Sequence, residues 1–330
     1  MAALGNSVSD RVRIEYHRDG REDHGFREEL REALAETPRR IPSKYFYDQR
    51  GSELFEAICE LSEYYPFRAE RAILEHHAGE IVRASGASEL VELGPGAATK
   101  TRLLLDAMAE AGCLDLYVPF DVSGEMVARV ARSFAELYPG LRVHGLVGDF
   151  LAHLGEIPAG GRRLAAFLGG TIGNFRPAEA REFLARVAAS LDPGDSLLLG
   201  TDLVKDPAVI EAAYDDAAGV TAEFNRNILR VVNRLAGADF DPEAFRHRAF
   251  YDPENRWIEM RLVAERPQTI RLAELDLTFD LDEGEELLTE ISAKYDRPGV
   301  EGLLRAAGFE LTAWHTDPER RFALSLARRA

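Results

Sequence analysis

Cysteine is scarce in this chain: Cys59 and Cys113 are its 2 cysteines in 330 residues, too few for a disulfide framework or a four-cysteine zinc site. A reducing, cytoplasmic setting is the expectation. Positive charge is also short, with 40 Lys and Arg against 57 Asp and Glu and a net charge of −17. That balance argues against a general nucleic-acid surface or a role on anionic membranes, and directs attention to small molecules. No apolar run approaches the roughly 18 residues that span a bilayer, and the charged N-terminus lacks the apolar core of a signal peptide. The 8 histidines show no metal spacing: His76 and His77 are adjacent and no H-E-x-x-H occurs. What is plentiful is apolar content, 46%, in a length that gives one large domain or two smaller ones an ample core.

Residues 90–101 read LVELGPGAATKT. Leu90, Val91 and Leu93 are strand-forming, Gly94 and Gly96 permit a tight turn, and Leu104, Leu105 and Met108 resume helical spacing. Such a strand, glycine turn and helix places backbone N–H groups and a helix start at the carboxyl end of a strand, where ligands bind in open α/β sheets. Three ligand classes share the pattern. A dinucleotide G-x-G-x-x-G needs a third glycine where Thr99 stands, and a P-loop ending in Lys100-Thr101 fails at the same Thr99. The looser E-x-G-x-G turn of S-adenosylmethionine-dependent methyltransferases accepts the sequence as it stands, and so does an ordinary strand-to-helix turn.

Further strands follow at 114–122, 141–150, 164–168 and 196–200, with helical spacing at 126–137 and from Pro177 to Leu191 between them. Asp121 ends the second strand, 27 residues beyond Gly94, where a carboxylate accepts from ribose hydroxyls. Asp149 and Phe150 end the third, an acid and an aromatic suited to adenine's amine and ring, although Phe150 equally suits the core. The loop Gly169-Gly170-Thr171-Ile172-Gly173-Asn174 offers open backbone after the fourth strand. Alternating runs around Phe309 and Phe322 flank an Asp317-Pro318 turn and predict a terminal antiparallel hairpin. The order predicts an α/β fold: a doubly wound, Rossmann-like methyltransferase sheet over 69–204 and 295–330, closed by that hairpin. Residues 205–294, with helical spacing at 210–235 and strand-like runs at 257–264 and 269–277, break the rhythm. With 1–68 they are expected to form an α+β substrate-binding domain.

Taken together, the stretches 45–48 (YFYD), 51–55, 62–70 (SEYYPFRAE), 91–101, 120–122, 148–150, 167–174 (FLGGTIGN), 195–206 (DSLLLGTDLVKD), 213–227 (AYDDAAGVTAEFNRN), 258–260 and 288–292 (LTEIS) carry a resemblance across nearly the whole chain. It resembles the L-histidine Nα-methyltransferases of ergothioneine biosynthesis. The resemblance implies S-adenosylmethionine as cofactor and trimethylation of the histidine α-amine to hercynine, the first step of that pathway. It implies cofactor binding by Tyr47, Gly94, Lys100, Asp121, Asp149 and Phe150, and histidine binding by Tyr64, Gly169, Asn174, Tyr214, Met260, Glu290 and Ser292. A monomer acting on a small molecule, without metal, nucleic acid or membrane, completes the expectation. Two positions depart from the family habit: Pro95 lies between the glycines of the turn, and Gly170 replaces a common serine.

The catalytic set stays open, with water or Tyr47 as the relay for the amine proton. From its own neighbourhood Glu290 reads as a solvated charge beside the acidic residues 282–286, and Met260 as core filler. Glu290 and Ser292 point the same way only on a strand. Methylation of another amino acid such as tryptophan, a non-catalytic nucleotide-binding protein and an ATP-dependent enzyme using Lys100-Thr101 remain alternatives.

Overall fold

Leu90 and Val91 pack into different apolar clusters from one strand, Glu89–Leu93, all of whose residues are buried. Burial of both faces marks a central strand of a parallel sheet covered by helices on each side. The computed structural model, which describes residues 8–17 and 22–330, contains such a sheet. Its eight strands run in the order Val12–Tyr16, Arg142–Val147, Leu116–Asp121, Glu89–Leu93, Arg163–Phe167, Ser196–Asp202, Phe322–Arg329 and Phe309–Thr316. The first six are parallel, and the last two form the antiparallel hairpin.

From Glu89–Leu93 the chain winds to one edge, then returns to the other side with Arg163–Phe167. The carboxyl end of Glu89–Leu93 is therefore the switch point of the sheet. Helix Gly124–Leu137 begins where Ser123 Oγ accepts from Met126 N–H at 3.3 Å, and it buries Val127, Val130, Ala131 and Phe134. Pro177–Ala189 buries Phe183, Leu184, Val187 and Ala188, the face read from the sequence.

By internal contacts the chain divides into two units. The first holds the described residues up to His17, Ala69–Leu203 and Tyr295–Ala330; the second holds the described residues of 22–68 and Val204–Lys294. The chain start differs from expectation, because Val12–Tyr16 pairs in register with Arg142–Val147 as an edge of the large sheet. Its Arg13 and Glu15 sit among only partly buried neighbours, so it lacks the apolar signature of the inner strands.

The second unit is built on a four-stranded sheet, Arg39–Arg40, Glu286–Ala293, Trp257–Ala264 and Phe245–Asp252. Helix Val220–Ala236 lays Phe224, Ile228, Leu229 and Val232 into its core, where Phe224 stacks on Phe46 at 4.4 Å between centroids. The helical spacing at 210–235 is two helices, Pro207–Tyr214 and Val220–Ala236, separated at Gly219 in the left-handed region. The run at 269–277 is likewise divided into strands Gln268–Leu272 and Leu277–Leu281 around the turn Ala273–Leu275. Among the described residues no helix is long and apolar enough to cross a membrane.

Candidate active site

Gly94 leaves the central strand at φ +70° and Gly96 follows at +52°, backbone that an L side chain disfavours. Gly94 N–H donates to Phe120 O at 2.9 Å, fastening the turn to the neighbouring strand, and Ala98 N–H donates to Pro95 O at 2.9 Å. Pro95 therefore serves as an acceptor in a tight turn, and its missing N–H costs none of these bonds.

Asp121 reaches the same turn. Its Oδ2 accepts from Gly96 N–H at 3.4 Å and its Oδ1 from Ser123 N–H at 3.0 Å. A carboxylate offers about four lone-pair positions; with Val122 N–H as a third backbone donor, an acceptor position is left for a ribose hydroxyl. Burial pushes this carboxyl above its ordinary range, against backbone hydrogen bonds that pull it down.

Asp149 and Phe150 lie beyond the strand end rather than on it. The strand stops at Val147, and Asp149 caps the one-turn helix Phe150–His153, its Oδ1 accepting from Leu151 N–H at 2.8 Å. The half-buried Phe150 ring lies 5.7 Å from Phe183 and 5.9 Å from Phe167 between centroids. Its Cε1 is also 3.9 Å from where a Cβ on Gly94 would stand. Phe150 is thus both part of an aromatic cluster and a neighbour of the glycine turn.

The Lys-Thr pair that imitates a P-loop is committed elsewhere. Thr101 Oγ1 donates to the Glu92 carboxylate at 2.7–2.8 Å, as does the Tyr117 hydroxyl at 2.7 Å. Burial pushes the Glu92 carboxyl up to about 7 despite these bonds. Lys100 Nζ pairs with Glu70, a carboxylate with 0% exposure whose two oxygens also accept from Gly169 N–H at 2.9 Å. Gly200 makes room for it, since a Cβ there would stand 2.2 Å from Glu70 Oε1. One buried carboxylate thus ties the end of the glycine turn to the loop after Arg163–Phe167. In that loop Gly170 adopts φ +70° and precedes the turn Thr171–Asn174, which ends on a half-buried Asn174.

Tyr47, Tyr64, Tyr214, Met260, Glu290 and Ser292 belong to the second unit. Strands Glu286–Ala293 and Trp257–Ala264 pair with a shift between Leu288 and Glu290, which sets Glu290 directly across from Met260 and Ser292 across from Ile258. Thr289, the residue at the shift, is anchored by its Oγ1 to Met260 O at 2.9 Å and Asn225 Oδ1 at 2.7 Å. Asn225 Nδ2 donates to His247 Nδ1 at 2.8 Å and to Arg261 O at 3.1 Å. Because Nδ1 accepts, the proton of a neutral ring sits on Nε2, which donates to Tyr214 O at 2.8 Å. Burial lowers the His247 pKa and favours that neutral form.

Burial pushes the Glu290 carboxyl up to about 7, while the Lys294 ammonium pulls the other way. Tyr64 meets Tyr214 edge-on at 6.3 Å between centroids. Burial, then the neighbouring Tyr214, holds the Tyr64 phenol well above its usual value, so it is a protonated donor at neutral pH. Tyr47, placed with the cofactor set, is 41% exposed and packs edge-on against Phe55 at 5.7 Å and Phe224 at 5.9 Å.

The fold also brings His77, Glu80 and His315 together, a grouping that spacing did not reveal. His77 Nδ1 lies 3.2 Å from Glu80 Oε2, and the His77 ring stacks on His315 at 4.3 Å. The two rings lie face to face, and one ligand atom from each of the three residues lies within 4.8 Å of the others.

Comparison with known proteins decides between the ligand classes. The family described as histidine-specific, S-adenosylmethionine-dependent methyltransferases matches residues 26–329. The chain belongs to that family. This methyltransferase is 50% identical over 303 residues to the histidine N-alpha-methyltransferase of Mycolicibacterium smegmatis, covering 92% of this chain and 94% of that one. It is 49% identical over 301 residues to the protein of the same name from Mycobacterium tuberculosis, covering 91% and 94%. It is also 33% identical over 295 residues to ergothioneine biosynthesis protein 1 of Neurospora crassa, covering 83% of this chain and 31% of that longer one. The chemistry of the first unit suits the cofactor: a carboxylate with an acceptor position to spare on a glycine turn, beside an aromatic ring.

Sequence reasoning missed the residues that hold this methyltransferase's candidate side chains in place. Glu70 closes the stretch SEYYPFRAE, yet nothing in its helical surroundings marks it as buried. Asn225 had a readable signal, a polar residue within the apolar face formed by Phe224, Ile228, Leu229 and Val232. Lys294 had a weaker one, two positions past Ser292.

Proposed function

We propose that this methyltransferase trimethylates the α-amine of L-histidine to hercynine, the first step of ergothioneine biosynthesis. The observation that carries the reading is the cross-strand pairing of Glu290 with Met260, with Ser292 two residues further along. A carboxylate, a hydroxyl and a polarizable apolar side chain together suit the edge and face of an imidazole.

Bound S-adenosylmethionine supplies a methyl group on a positively charged sulfur, which departs as a thioether when an amine lone pair attacks in line. The protein's part is positioning, and near-attack geometry contributes about 7–11 kcal/mol in well-oriented systems. In this reading Asp121 accepts from the ribose hydroxyls, Phe150 covers one face of the adenine and Asp149 accepts from its amine. Gly94 gives backbone access, Lys100, paired with Glu70, fixes the end of the glycine turn against the cofactor, and Tyr47 completes the set. Glu290 and Ser292 bind the imidazole and Met260 packs on its ring. Tyr64, protonated at neutral pH, and Tyr214 donate to the amino-acid carboxylate. Asn174 and Gly169 are assigned to the amino-acid head on their chemistry, an amide that accepts from an amine and an open backbone.

The α-amine must lose a proton before each transfer, and Tyr47 is the candidate relay. A rate–pH profile unchanged in Tyr47→Phe removes it from that role. A cytoplasmic location and a monomeric enzyme belong to the same reading, the latter tested by sedimentation.

Steady-state assays following S-adenosylhomocysteine release test the substrate. Histidine is expected to give the highest kcat/KM among the amino acids. A higher value for tryptophan transfers the chain to the second reading, and release with neither removes both.

A further inference from the structure

Lys294 follows the strand Glu286–Ala293 and is 3% exposed, an ammonium group with almost no access to water. Its Nζ donates to Ser292 Oγ at 2.8 Å and to the Tyr214 hydroxyl at 3.2 Å, and lies 4.8 Å from the centroid of the Tyr214 ring. A lysine ammonium has three donors and no acceptor. Both hydroxyl oxygens therefore accept from it, and neither hydroxyl proton points back at it. On Ser292 the O–H is left to donate elsewhere. Two residues before it, on the same side of the strand, Glu290 supplies an acceptor. The strand thus presents one donor and one acceptor side by side. A neutral imidazole carries their complement, one N–H and one bare nitrogen, whereas an indole carries the N–H alone.

We infer that Lys294 is a positioning residue that sets the hydrogen-bond polarity of the histidine pocket, making Ser292 a donor beside the Glu290 acceptor so that a neutral imidazole is selected. The inference rests on the reading of this face as the histidine site. Among the described residues, the titratable groups gathered here are Lys294 itself, Tyr64 from the segment before helix Tyr65–Ser85 with Cys59 and Tyr47 beside it, and Tyr214 at the end of Pro207–Tyr214. Tyr64 stays neutral, so Lys294 is the charged group that favours the ionised carboxylate.

The test uses the full chain with Lys294→Gln, which keeps an amide donor but loses the charge and adds an acceptor, and Lys294→Arg as the conservative rescue. Histidine binding is measured by calorimetry with S-adenosylhomocysteine present, S-adenosylhomocysteine binding is measured alone, and both are followed from pH 6 to 9. In Lys294→Gln the histidine Kd is expected to rise about tenfold or more, the scale of one charge-assisted bond, with S-adenosylhomocysteine affinity within about twofold. The inflection that Glu290 gives the histidine Kd–pH profile moves to higher pH, and Lys294→Arg restores most of the affinity. Ser292→Ala is expected to cost much less in the Lys294→Gln background than in the wild type, because the polarity it reads is already lost. Additive costs, an unmoved pH profile or parallel losses of histidine and S-adenosylhomocysteine binding overturn the inference. A wild-type chain that binds no histidine overturns the site reading and this inference with it. A wild-type chain that binds histidine, with unchanged affinity in Lys294→Gln, overturns the inference alone.

Discussion

Glu290→Gln exchanges a carboxylate for an amide of nearly the same shape, so its effects report the charge. Burial lifts the Glu290 carboxyl from an ordinary 4.5 to about 7, with Lys294 offsetting part of the rise. Below 4.5 the group is protonated in the folded and unfolded chains and costs nothing. Between 4.5 and about 7 only the folded chain holds the proton, so stability falls as pH rises, and above 7 the full burial cost remains. At about 1.36 kcal/mol per pH unit the gap is worth about 3 kcal/mol, and partial exposure trims it to about 1–3 kcal/mol. Wild-type protein is expected to lose that much between pH 5 and 8 relative to Glu290→Gln. Glu92, also raised to about 7, contributes equally to both chains and cancels. The assay is urea unfolding followed by fluorescence, with Trp257 reporting on the second unit and Trp314→Phe removing the signal of the first. At pH 8 the same variant should bind histidine about 10- to 100-fold more weakly, because a hydrogen bond to a charged group contributes about 1.5–3 kcal/mol. Stability rises while substrate affinity falls. Parallel pH–stability curves for the two chains, or losses of stability and affinity together, refute the reasoning.

Asp121→Ala should raise the S-adenosylhomocysteine Kd by about 10- to 100-fold through lost charged hydrogen bonds, leaving the preference for histidine over other amino acids unchanged; calorimetry and competition assays check both. Gly200→Ala sets a methyl 2.2 Å from Glu70 Oε1, and displacing that carboxylate from Lys100 and Gly169 should cost about 3–5 kcal/mol. The check is thermal unfolding, and an unchanged Tm would show that the Glu70 contacts carry no stability.

The inner framework was legible because its signals are local. The sheet buries both faces of Glu89–Leu93, so the apolar run at Leu90 was sufficient to locate a strand, and Gly94 and Gly96 marked the turn by the conformation it needs. Edges were less visible. Val12–Tyr16 is a partly solvated edge whose pairing with Arg142–Val147 depends on residues some 130 positions away. The run at 269–277 hid a turn ending at Asp276, which adopts φ +46° without being glycine. The resemblance named the candidate side chains, but not what orients them. Glu290 meets Met260 only because the register shifts after Leu288, and that shift is held by Thr289, Asn225 and His247 from three separate segments. Glu70 is similar: its burial follows from a lysine 30 positions on and an N–H 99 positions on, contacts no sequence window contains.

Histidine trimethylation is tested most directly by incubating the full chain with S-adenosylmethionine and an equimolar mixture of the twenty amino acids, then reading product masses. The expected result is conversion of histidine alone to its trimethylated betaine, with one S-adenosylhomocysteine released for every methyl group gained. Unmodified histidine, or faster methylation of tryptophan or any other amino acid, would contradict it.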